Sequence, residues 1–164
     1  MTKEKISSFK LRITESNRTE LVCILYEIFF DYLKEAEHAL GEMGKKRDSE
    51  LLDAYGDALR GASMVVRHLE DALDFKYEIS GNLYSLYGFV ERTIAKATYR
   101  LEKEELDHCL LVMEPLYQSF LEVAKQDDSK PLMQNTQKVT AGYTYGRNDV
   151  TEGFGVSDNR GFLA

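Results

Sequence analysis

The sequence predicts an all-α protein: an antiparallel four-helix bundle with an N-terminal capping segment and a mostly unstructured C-terminal tail. Three observations carry this. Pro115 and Pro131 are the only prolines in 164 residues, so one run of more than a hundred residues has no strong helix breaker. Apolar residues recur at helical spacing in four segments of about 20–27 residues, each about 30–40 Å long as a helix. Beyond Asp128 the pattern stops. Residues 129–164 hold five of the eleven glycines, and carry four basic and three acidic residues, a net +1 against −8 for residues 1–128. The expected organisation is a helical domain over 1–128 and a Gly- and aromatic-containing flexible tail over 129–164.

The first bundle helix is expected from about Asn17 to Leu40. Asn17 and Glu20 have capping-box spacing. Leu21, Leu25, Ile28, Tyr32, Ala36 and Ala39 form its stripe, widened by Val22, Phe29, Leu33 and Leu40. Cys23, Tyr26 and Phe30 fall off that stripe, so either they meet the N-terminal segment or the helix packs on two sides. Gly41 and Gly44 end it, and Lys45 to Asp48 reads as a solvated turn.

The second helix opens at Asp48 or Ser49, with Leu51, Leu52, Tyr55, Ala58, Leu59, Ala62, Val65, Val66, Leu69 and Leu73 inward. The third is expected from about Phe75 to Leu101, with Ile79, Leu83, Leu86, Tyr87, Val90, Ile94 and Ala97 inward. The fourth runs from about Glu104 to Lys125 on Leu106, Cys109, Leu110, Met113, Leu116, Tyr117, Phe120 and Ala124. Pro115 lies inside it and is expected to kink it, at a cost of roughly 3 kcal/mol. Short connections make neighbours antiparallel. The segment Ile6 to Ile13 is too short to stand alone as a helix and is expected to fold back over the bundle, as a packed leader or as a lid on an apolar groove.

Composition narrows the function. Twenty-eight acidic against 21 basic residues, net −7, disfavour broad nucleic-acid binding. No apolar run approaches a membrane span, and Met1 to Lys5 lacks a signal-peptide pattern, so a cytoplasmic location is expected. Cys23 and Cys109 form no CxxC and read as buried, inert thiols. His38, His68 and His108 lie in three different helices. Glu105 and His108 show the Glu-x-x-His spacing once, where a di-iron bundle needs it twice, and the pair reads as a surface contact. No metal, cofactor or catalytic residue is expected, and the chain does not read as an enzyme.

The informative feature is apolar surface beyond one stripe per helix. At 100° per residue, Tyr77, Gly81, Tyr84, Gly88, Ala95 and Tyr99 cluster on one side of the third helix, away from its core stripe. Gly81 and Gly88 each cost roughly 1 kcal/mol against alanine in a helix interior. Small residues flanked by tyrosines suit the close approach of another helix, since aromatic residues are enriched at contact surfaces. Met64 is off the second helix's stripe and adaptable to apolar partners.

Several segments resemble the flagellin-specific export chaperones of the FliS family. They are Glu20-Leu21-Val22 with Leu25-Tyr26, Ala72-Leu73-Asp74, and above all the run Glu78-Ile79-Ser80-Gly81-Asn82-Leu83-Tyr84-Ser85-Leu86-Tyr87-Gly88-Phe89. The similarity spans about residues 9–127. Departures include Glu27 where the family commonly has Asp, Phe120 near a frequent tryptophan, and Pro115. The resemblance implies a cytoplasmic chaperone that keeps flagellin monomeric by binding its C-terminal segment as helices in apolar grooves, and implies contact with flagellar export-gate components. Carried onto this chain it implies Met64, Tyr84, Tyr87, Phe89, Tyr99, Leu116 and Phe120 as groove or groove-support residues, with Tyr87 and Leu116 open to a core role. Ile6 and Phe9 stand nearest to an N-terminal aromatic cap. The alternative is a helical-bundle adaptor or regulator that binds another amphipathic helix.

Overall fold

The computed structural model describes residues 3–44 and 48–133. Among these are five helices and no strand: α1 Lys3–Glu15, α2 Arg18–Met43, α3 Ser49–Asp71, α4 Ile79–Arg100 and α5 Lys103–Ala124. Helices α2 to α5 form the antiparallel bundle. Thr19 near the start of α2 meets Asp127 beyond the end of α5, and Arg67 of α3 pairs with Glu91 of α4 while Tyr55 reaches back to Ala97. The expected turn at Lys45 to Arg47 and the tail from Gln134 onward lie outside the described residues.

Local chemistry sets the boundaries. The capping box of α2 is complete: Glu20 N–H donates to Asn17 Oδ1 at 2.8 Å, and Asn17 N–H donates to Glu20 Oε2 at 2.9 Å. Asp48 caps α3 by accepting from Glu50 N–H at 3.0 Å. The α4 helix starts at Ile79, four residues later than expected. Asp74 holds the preceding chain in a turn, its carboxylate accepting from Lys76 N–H and its carbonyl from Tyr77 N–H and the Ser80 hydroxyl. This is the competition that short polar side chains offer to a helix start. At the other end Leu101 takes a left-handed conformation, φ 54°, which ends α4 and lets α5 begin two residues later.

The core joins all four bundle helices. Tyr26, Phe29, Leu33 and Ala36 of α2 meet Tyr55, Leu59, Ala62 and Val66 of α3, Leu83, Tyr87, Val90 and Ile94 of α4, and Leu106, Cys109 and Met113 of α5. The centre of α2 therefore differs from the expected stripe. Tyr26 and Cys23 are buried, while Leu21, Leu25, Ile28 and Tyr32 are half-buried. The cause is packing on more than one side: α2 meets α3, α5 and α1, so its buried arc is wider than one stripe. Ile79, Leu86 and Leu52, expected inward, lie exposed. Helix α5 runs unbroken through Pro115.

The N-terminal segment is a 13-residue helix that does not stand alone but lies against the bundle. Tertiary contact supplies what propensity does not. Its packing is against α2, with Phe9 and Ile13 half-buried. Lys5 pairs with Asp31 at 3.0 Å and Arg12 grips Glu27 with two nitrogens at 2.5 and 2.9 Å.

Candidate partner-binding site

One flank of α4, with the turn before it, exposes small and aromatic residues around the Arg92 guanidinium. Tyr77, Gly81, Tyr84, Ala95 and Tyr99 are exposed and Gly88 is half-exposed. Tyr99 keeps 85% of its surface in solvent and Tyr84 51%. The glycines leave bare backbone on that flank. A Cβ at Gly81 would meet nothing within 4 Å, and at Gly88 it would touch only the Arg92 guanidinium at 3.4 Å. Nothing inside the bundle requires glycine at either position. Beside it, between α3 and α4, lies a shallow groove of about 420 Å³ whose lining includes Leu59, Ser63, Ile94 and Ala95 and the charged Arg60, Arg67, Glu91 and Arg92; of the flank residues named above, only Ala95 lines it. Phe75, in the turn before α4, meets the Tyr84 ring edge to face at 5.8 Å. It is 64% exposed, and sequence reasoning missed it because it was assigned to the helix rather than to the turn.

The seven residues expected at the site do not form one patch. Tyr84 and Tyr99 share one flank of α4, about 60° apart, and neither lines the α3–α4 groove. Phe89 follows Tyr84 by five residues, about 140° around the helix, and lies exposed with Leu86 on the other flank. Met64 is exposed on α3 but does not line the α3–α4 groove. Tyr87 is in the core, 1% exposed, with its hydroxyl 2.7 Å from that of Tyr26. Burial raises both phenols above their ordinary range, so the pair stays protonated and bonded. Leu116 and Phe120 are half-buried against the core. The Phe120 ring lies 5.7 Å from Tyr26, and Tyr117 and Phe30 complete that aromatic cluster. Tyr87, Leu116 and Phe120 thus support the bundle from inside.

A second apolar concavity lies between α2 and α5. It has a volume of about 680 Å³, and Phe30, Leu33, Leu106, Leu110, Leu111 and Tyr117 are among its lining residues. Leu111 at its rim is 74% exposed. The signal in the sequence was Leu111 itself, a large apolar residue outside the α5 stripe.

The expected cap residues lie on α1. Ile6 is exposed, while Phe9 is half-buried with the Arg12 guanidinium 5.8 Å above its ring. Both belong to the helix that packs on α2, beside a cleft shared by Arg12, Glu20, Glu27 and Leu121.

The reactive side chains are engaged structurally. Cys109 is buried and its thiol is pushed up to about 12 by burial and the nearby Glu105, and burial raises Cys23 too. Neither is a thiolate near neutral pH. Glu105 accepts from Arg100 at 3.0 Å, with His108 Nδ1 at 3.9 Å. Among the described residues no group of three or more His, Cys, Asp or Glu is placed to hold a metal ion, and no helix is long and apolar enough to cross a membrane.

No curated protein matches the chain. The family described as flagellar protein FliS matches residues 3–127, a span that runs from the first residue of α1 to just past the end of α5 and includes every surface described above. By that match, over most of its length, the chain belongs to the FliS family of flagellar proteins.

Proposed function

We propose that this chain is a cytoplasmic export chaperone that binds the disordered C-terminal segment of flagellin as short helices, holding it from premature polymerisation and aiding its delivery to the export apparatus. The observation that carries the reading is the exposed tyrosine flank of α4. It presents Tyr84, Tyr99 and two glycines that the fold does not use, on a chain of a flagellar family. A helix laid along that flank can approach the bare backbone at Gly81 and Gly88 closely, with the tyrosine rings closing on its sides. This is helix-in-groove recognition. The α2–α5 cleft supplies a second apolar surface for a client long enough to wrap the bundle. Phe89, Met64 and the rim of that cleft then serve successive helices of one client, which fits their placement on separate faces. Tyr87, Leu116 and Phe120 hold the helices that carry those faces. The activity is binding, with no catalytic step and no cofactor.

Calorimetric titration with a peptide covering the flagellin C-terminal segment from the same organism tests this. The expected result is saturable one-to-one binding with a negative heat-capacity change from apolar burial. Ordering the client costs part of the interaction energy and keeps the complex releasable. Absence of binding by the full chain and by a chain lacking residues 1–12 contradicts the reading and favours an adaptor for another amphipathic helix.

A further inference from the structure

The two-residue joint between α1 and α2 is tied to the chain that follows α5. Ser16 and Asn17 are 4% and 3% exposed, unusual for polar residues in a connection. Residues 127–132 cross this joint and bond it at three places. The Asn17 side-chain amide donates to the Asp127 carbonyl at 3.1 Å and faces the Ser129 carbonyl at 3.5 Å. The Thr19 hydroxyl donates to the Asp127 carboxylate at 2.5 Å. Leu132 N–H donates to the Ser16 carbonyl at 3.1 Å. The strap is itself held in shape, since Ser129 N–H donates to Asp127 Oδ1 at 3.0 Å. These contacts hold the Asp127 carboxyl below its ordinary range.

The rest of α1 is lightly attached. Its Lys5–Asp31 pair lies at the surface, where such pairs contribute little, so the two-nitrogen grip of Arg12 on Glu27 is its one strong polar tie described outside the joint. Ile6 and Leu11 are exposed. For α1 to leave α2, the backbone must rotate at Ser16 and Asn17, because a hinge of this kind absorbs the whole change in a few residues. Those are the groups that the strap holds.

We infer that residues 127–132 are a latch on α1: the strap bonded to Ser16, Asn17 and Thr19 sets how readily the N-terminal helix swings away from the bundle. The latch is independent of what the α4 flank binds. Whatever draws the strap off the joint frees α1, and whatever orders the strap retains it.

Two substitutions in the full chain separate the latch from general stability. Asn17→Asp keeps the oxygen that caps α2, a role Asp fills well, but replaces the donating amide with an acceptor that faces two carbonyls. Leu132→Pro removes one N–H from the strap and touches no helix. Hydrogen exchange resolved by segment is the readout. Asn17→Asp is expected to speed exchange in residues 3–15 about tenfold, and Leu132→Pro about threefold, from the loss of one or two hydrogen bonds. Residues 49–71 and 79–100 are expected to keep their protection. Unchanged exchange in α1 when the strap is loosened overturns the latch. So does equal acceleration in α3 and α4, which would mark a loss of global stability instead.

Discussion

Gly61 and Gly81 are both glycines inside helices, and they sit in opposite kinds of place. A Cβ at Gly61 would fall onto the Tyr32 ring, whereas at Gly81 it would meet open space. The first glycine is there because α2 and α3 approach closely at the seam. Among the described residues nothing requires the second, and it weakens the helix that carries it. The tyrosines divide the same way. Tyr26, Tyr55 and Tyr87 are buried with every hydroxyl bonded, Tyr55 to the Ala97 carbonyl at 3.0 Å. Tyr77, Tyr84 and Tyr99 are exposed. One residue type builds the bundle on one side of α4 and lies exposed on the other.

Four substitutions break or sharpen that contrast. The largest effect is expected from Tyr87→Ala, which empties a core position and leaves the Tyr26 hydroxyl without its partner. A loss of about 3–5 kcal/mol is expected, read by denaturant unfolding. Next is Gly61→Ala, where overpacking against Tyr32 is expected to cost about 1–3 kcal/mol in the same assay. On the outer flank, Tyr84→Ala is expected to leave stability within about 0.5 kcal/mol. It should weaken the flagellin peptide by about tenfold, roughly 1.4 kcal/mol, measured by calorimetry. The smallest is Gly81→Ala, expected to stabilise the chain by about 0.5–1 kcal/mol, seen as a raised thermal midpoint. A methyl group that stabilises the fold and also weakens client binding would show that the bare backbone serves the partner.

The sequence made much of the interior legible and much less of the surface. The α3 stripe from Tyr55 to Leu69 is buried as its spacing indicates, because one helical face meets the core there. Asn17 and Glu20 announced the start of α2 by their spacing and form the capping box. The α2 stripe was misplaced because packing by three neighbours is not written in the periodicity of one helix. The later start of α4 traces to Asp74, whose turn competes with helix in a way that apolar spacing does not register. Helix α1 exists through contacts with α2, which its local sequence cannot reveal. Tyr87 fell on the inward stripe of its helix and is buried there, while the partner that its hydroxyl meets, Tyr26, lies 61 positions away and is not written in that spacing. The α2–α5 cleft is a property of two helices together, so only Leu111 hinted at it.

The exposed flank of α4 that carries Tyr84 and Tyr99 is the proposed client surface. Hydrogen exchange on the full chain, with and without a saturating flagellin C-terminal peptide, tests it most directly. Added protection is expected to include the segment from Phe75 to Tyr99, and Tyr84→Ala is expected to remove it there. Saturable binding that leaves this segment unchanged, with protection confined to other faces of the bundle, would contradict it.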